Sequence, residues 1–183
     1  MRRLSRAAIL GDMNEQPCDN PQGPWHVLHV KPRCEKKLAA QAAVLPGLKF
    51  FLPLREESKI YQRRKVTVRK PVFPGYLFAA FTRQQQAGLL KTNQVVRVLE
   101  VLDQPGFLAQ LDQVRKALEV DPTLGACEAF QTGQRVRIRS GPFQGIEGVV
   151  RSVRGQMRVM LNIEMIGQAV PIEVDAAALE TLA

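Results

Sequence analysis

The spacing of apolar positions along this chain changes character once, near residue 121. Before that point short alternating runs are interleaved with helical spacing. Trp25 to Lys31 (WHVLHVK) alternates as a strand does, and Pro32 suits the first turn of a helix over about residues 32–45. On that helix Leu38, Ala42 and Leu45 share one face, while Arg33, Lys36 and Lys37 share the opposite one. Pro46-Gly47 ends it, and residues 48–54 (LKFFLPL) predict a second strand. Residues 72–81 predict a third, with Tyr76, Phe78 and Ala80 facing one way and Leu77, Ala79 and Phe81 the other. Apolar side chains on both faces require cover on both. One cover is the domain's own core, and the other is open to a partner. A short helix near 83–91, a strand from Val95 to Val101 and a helix capped by Asp103 follow. Pro105 sits in that helix's first turn, Leu108, Leu111, Val114 and Leu118 recur at helical spacing, and Asp121-Pro122 stops it. The expected order is β-α-β-β-α-β-α, an antiparallel or mixed sheet with flanking helices.

Beyond a linker at 121–131 only strand patterns remain. Val136 to Arg139, Ile146 to Val153, Met157 to Ile163 and Ala169 to Val174 are β-rich, with glycine-containing turns between them. Arg154-Gly155-Gln156 suits a tight hairpin, and Gly167 marks another reversal. Four or five strands in so short a stretch predict a small antiparallel barrel. The fold class is therefore α+β. The expected domains are a flexible tail at 1–24, an α+β domain at 25–120, the linker, and a β-barrel at 132–183.

Charge sharpens this division. Residues 25–120 carry 17 Lys and Arg against 7 Asp and Glu, whereas residues 128–183 carry 6 of each. The first domain is basic and the second neutral. A basic face steers toward nucleic acid or an acidic protein surface. Within it, residues 55–70 hold 7 basic and 2 acidic residues with little apolar material, which predicts an exposed hairpin or loop.

Other chemistry is sparse. Cys18, Cys34 and Cys127 are odd in number and widely spaced, which fits reduced thiols in a cytoplasmic protein rather than disulfides or a zinc site. His26 and His29 sit three apart on one strand and point to opposite faces, a poor metal pair. No glycine-rich phosphate loop and no nucleophile–base pair with a supporting histidine is present, so neither an enzyme nor a bound cofactor or metal is expected. No apolar run approaches the roughly 18 residues of a membrane span.

Two motifs carry a resemblance to a known family. Trp25 at the first strand, the basic Pro-x-Cys-Glu-Lys-Lys stretch and Phe-Pro-Gly-Tyr-Leu-Phe at 73–78 resemble the N-terminal (NGN) domain of NusG-type transcription elongation factors. Gly-Gln-x-Val-x-Ile at 133–138, followed by Gly-Pro-Phe-x-Gly-x-x-Gly-x-Val at 141–150, is similar to a KOW motif. Together they cover residues 25–183. The motif glycines have physical reasons: Gly141-Pro142 and Gly145 permit reversals, and Gly148 suits close backbone approach in a curved sheet.

The resemblance implies that the N-terminal domain binds the clamp helices of the largest catalytic RNA polymerase subunit through an apolar groove. Matching positions are Phe73, Tyr76 and Phe78, with His29 at the edge. The alternative for these aromatics is core. Gln85 and Gln86 match a gate-loop contact on the opposite pincer. Lys31, Arg33, Lys36 and Lys37, and the cluster Arg63, Arg64 and Lys65, would face upstream or non-template DNA, with a solvated charged face as the alternative. Phe143 and Ile146 match the KOW surface that meets a small-subunit ribosomal protein or Rho, with core as the alternative for Ile146. The implied activity is suppression of pausing and termination by a monomer.

The missing acidic linker, the tail and the basic 55–70 segment point to a specialised paralogue of the RfaH, LoaP or UpxY kind rather than the housekeeping factor. In RfaH the C-terminal domain can rest as helices. Here the Val, Ile and Gly pattern at 135–174 points to a constitutive barrel, while residues 156–165 (QMRVMLNIEM) are also compatible with helix. The competing reading is a ribosome-associated or RNA-binding KOW protein without polymerase contact, which requires positive charge on the barrel.

Overall fold

The computed structural model describes residues 23–61, 64–128, 133–153 and 156–182. The expected tail lies almost wholly outside these residues, as do Arg63 and the turn residues Arg154 and Gly155. The elements begin with β1 (Trp25–Val30), α1 (Glu35–Ala42), β2 (Lys49–Phe51), β3 (Leu54–Tyr61), β4 (Arg64–Pro71) and β5 (Tyr76–Ala80). They continue with α2 (Arg83–Lys91), β6 (Val95–Glu100), α3 (Gln104–Val120), β7 (Cys127–Glu128) and β8 (Arg135–Ile138). Last come β9 (Glu147–Val153), β10 (Gln156–Ile163), β11 (Gln168–Glu173) and β12 (Leu179–Thr181). Two compact units result. Among the described residues, one draws on those up to Pro53 and on Pro74–Gln104, the other on Leu54–Phe73 and on those from Pro105 onward.

The first unit is a four-stranded sheet in the order β2-β5-β1-β6. Every pairing in it is antiparallel, so the mixed option drops out. The two central strands supply the core: Val27, Leu28, Leu77, Phe78, Ala79 and Ala80 are fully buried. The double-sided cover expected from the apolar pattern of β5 is therefore present. Helix α1 buries Leu38 and Ala42 and leaves Lys36 and Lys37 in solvent. It starts at Glu35, later than expected, because Arg33 takes a positive φ of 64° that no helix accommodates. Pro32 and Arg33 instead form a turn in which Cys34 N–H donates to Lys31 O at 3.0 Å. Helix α2 is opened by a capping box: Thr82 Oγ1 accepts from Gln85 N–H, and Gln85 Oε1 accepts from Thr82 N–H at 2.7 Å.

The second unit contains the basic hairpin, α3 and a six-stranded antiparallel sheet ordered β12-β8-β9-β10-β11-β7. The hairpin is fully paired from Leu54↔Pro71 to Tyr61↔Arg64. At its base Glu56 N–H donates to Pro122 O at 2.6 Å. Helix α3 buries Phe107, Leu111, Val114 and Ala117, a face turned slightly from the expected one, with Leu108 and Leu118 only half-buried. In the sheet, Val136, Ile138, Val159, Leu161, Val170 and Ile172 form the core. Gly148 has to be glycine, since a Cβ there would lie 2.6 Å from Met160 O and 2.7 Å from Val159 Cγ1. Among the described residues strand β7 pairs with the first two residues of β11, Glu128 with Gln168 and Cys127 with Ala169. Pro171 lies two residues further along β11 and has no N–H to contribute to such a ladder.

Candidate functional site

The expected contact residues separate by depth; His29, Tyr76 and Phe78 belong to the first unit and Phe73 to the second. His29 is the last residue but one of β1 and Tyr76 opens β5, and the two are the last antiparallel pair of that register. Their rings stack with centroids 5.4 Å apart and planes 26° apart. His29 is exposed and Tyr76 half-buried, so the pair presents an amphipathic surface at the strand ends. A register shift between His29 and Val30 on the β6 side turns the chain here, and exposed Arg97 stands opposite His29.

The turn before Tyr76 is held from two sides. Gly75 sits at φ +83°; its carbonyl accepts from Val30 N–H at 2.7 Å and its N–H donates to Glu35 Oε1 at 2.8 Å. A Cβ there would meet His29 Cδ2 at 3.8 Å, an ordinary contact, so it is the positive φ and not crowding that favours glycine at this position. Sequence reasoning does not find Glu35. An acid inside a Lys-rich run signals nothing about a partner 40 residues away.

Phe73 and Phe78 do not belong to this surface. They are 1% and 0% exposed, and Phe78 stacks on Phe51 at 6.4 Å. Withdrawing one such side chain forfeits roughly 1.5–3 kcal/mol of burial, so both are core residues here. Of the four expected positions His29 and Tyr76 reach the surface, and Phe73 and Phe78 do not. His26, on the other face of β1, stacks on Phe81 at 4.3 Å and is thereby separated from His29. No group of acidic, His and Cys residues able to hold a metal occurs among the described residues.

Gln85 has its amide committed within the fold. Its oxygen serves the α2 cap and its Nε2 donates to Pro46 O at 2.7 Å. It is a capping residue in this fold. Gln86 is half-buried on the same turn, with its N–H donating to Thr82 O.

The basic positions are on the surface. Lys31, Arg33, Lys36 and Lys37 are all exposed around the start of α1, and Lys31 Nζ donates to Asn93 Oδ1 at 3.0 Å. On the hairpin the charges are graded along its length. Near the base Glu57 meets Arg55, Lys59 and Lys70, and Glu56 meets Arg69. The hydrogen bond from Lys70 is the main cause that holds the Glu57 carboxyl below the ordinary glutamate range, against a smaller opposing effect of burial. Toward the tip Arg64 and Lys65 are exposed, so the acids neutralise the base of the hairpin and leave its end cationic.

In the second unit the β8–β9 loop carries the KOW-like positions. Gly141 and Gly145 take φ of 91° and 85°, as the two reversals require. Phe143 is half-buried between two surface grooves, one of about 680 Å³ and one of about 400 Å³. The larger is lined by apolar Ile138, Pro142, Met157 and Val174 together with acidic Glu173 and Asp175. Ile146 is 2% exposed; its carbonyl accepts from Ile138 N–H at 2.9 Å. It is core, the alternative weighed for it from the sequence, and not a surface residue.

Known proteins resemble the chain along most of its length. Its sequence matches the family described as "Transcription termination factor nusG" over residues 23–115. A Thermus thermophilus "Transcription termination/antitermination protein NusG" is 29% identical over 177 residues, spanning 82% of this chain and 94% of that protein. A Treponema pallidum protein of the same description is 26% identical over 184 residues, spanning 86% and 98%. Among solved structures, a chain from the crystal structure of an MjSpt4:Spt5 complex aligns at 18% identity over 87% of this chain and 97% of that one. Its TM-score of 0.29 is too low to argue from. The family match spans half of the chain and contains the whole four-stranded sheet, so the chain belongs to the NusG family of transcription termination and antitermination factors.

Proposed function

We propose that this transcription factor, which like its family is not an enzyme, binds RNA polymerase through the His29–Tyr76 surface and suppresses pausing and termination. The observation that carries the reading is the stacked pair itself. Two aromatic side chains stack at one end of the two central strands, His29 exposed and Tyr76 half-buried. A half-wet, half-apolar surface suits the clamp helices that the family resemblance implies. Bound there, the protein favours the closed, elongating polymerase by its differential affinity for that state. The exposed cations around α1 and at the hairpin end lie toward upstream or non-template DNA. The β8–β9 loop with Phe143 recruits a ribosomal protein or Rho. A basic module at 25–120 and a neutral adaptor at 132–183 divide these tasks, and the role is that of a specialised, cytoplasmic paralogue.

Binding of the purified chain to core polymerase tests this. Tyr76→Ala weakens binding about tenfold, as loss of an interface aromatic does, while Tyr76→Phe retains most of it. Unchanged affinity of Tyr76→Ala overturns the reading. Ribosome binding without polymerase binding would replace it with the RNA-binding alternative.

A further inference from the structure

Glu35 is the one carboxylate buried among the described residues, at 6% exposure, and the fold so far gives it no solvent-facing task. A buried carboxylate is costly unless it accepts hydrogen bonds. Glu35 stands in the first turn of α1, where unpaired N–H groups and the helix dipole favour an anion. Its Oε1 then reaches across to Gly75 N–H at 2.8 Å.

That bond fixes more than a glycine. Gly75 is at positive φ, and its two peptide groups are held by different elements, one by Glu35 of α1 and one by Val30 of β1. With both anchored, the direction in which the chain enters Tyr76 is set. Val30 is also the residue after His29, so the same bridge holds both members of the stack in register. Without Glu35, Gly75 keeps only the Val30 bond, and glycine is the residue freest to rotate away.

We propose that Glu35 is a positioning residue for polymerase recognition, acting through Gly75 to hold the His29–Tyr76 stack in its binding geometry. Glu35 does not itself touch the polymerase. This rests on the reading that the stack is the polymerase contact.

The test uses the full chain, core polymerase and three substitutions that separate acceptor, charge and reach. Glu35→Gln keeps an acceptor of the same length and retains affinity within about twofold. Glu35→Ala and Glu35→Asp, which remove or retract the acceptor, weaken binding about fivefold to tenfold. The nuclear Overhauser contact between the His29 and Tyr76 rings disappears in the Ala and Asp variants and persists in Gln. Should Glu35→Ala fail to fold, the Asp and Gln pair decides on its own. Native affinity in Glu35→Asp, or affinity in Glu35→Gln as weak as in Asp, overturns the inference. If Tyr76→Ala weakens binding while Glu35→Ala and Glu35→Asp do not, the inference falls and the polymerase reading stands. If Tyr76→Ala binds normally, the polymerase reading itself falls.

Discussion

Tyr76 and Phe78 share one face of β5 by alternation, yet one is a surface residue and the other is wholly enclosed. The sequence pattern identifies a face; it does not say where along the strand the cover ends. Tyr76 lies at the strand's first position beside His29, past the edge of the packing, and Phe78 lies two residues inside it. The two substitutions should therefore separate cleanly. Phe78→Ala lowers unfolding free energy by about 3–5 kcal/mol, measured by denaturant titration, while Tyr76→Ala changes binding and leaves the midpoint near native. Ile146 is ambiguous in sequence for the same reason, being the last loop residue before β9. Gly148, by contrast, is legible, because a glycine inside a strand pattern points to a bulge or to a neighbouring backbone lying close. Gly148→Ala forces a methyl group against Met160 O and costs about 1–3 kcal/mol of stability by the same assay.

Among the elements, long periodic segments are readable and short or locally strained ones are not. Helix α2 and strands β8 to β11 follow from spacing and turn residues, whereas charge composition at 55–70 leaves hairpin and loop both open. The late start of α1 depends on the left-handed Arg33, which no period announces, and two-residue β7 has no period at all. The hairpin adds a pH dependence. Lowering of the Glu57 carboxyl's proton affinity in the folded chain means that its ion pairs stabilise the hairpin above the unfolded glutamate range. That contribution is lost as pH falls through the lower, folded value. Amide exchange across Arg64–Pro71 should accelerate relative to the rest of the chain on that acid limb. Glu57→Gln should remove this dependence, and an unchanged acid response in that variant would show that Glu57 is not its source.

For the molecule as a whole, the uneven distribution of charge is the property most directly visible in the sequence. It predicts that DNA binding resides in residues 25–120 and falls steeply with salt. Replacing Lys31, Arg33, Lys36 and Lys37 together by Gln should flatten the slope of log affinity against log salt by about 3, if all four meet phosphate. An unchanged slope would assign them to solvent. Transcript profiling of a deletion strain separates the specialised role, with a handful of operons affected, from a genome-wide one. The last consequence comes from the brief pairing of Cys127 and Glu128 with the outermost long strand. Those two residues shield its open rim, and Pro171 guards the stretch beyond. Deleting residues 123–126 would draw that shield off and bare a hydrogen-bonding margin to neighbouring molecules, so sedimentation should then report concentration-dependent association where the intact chain should show none.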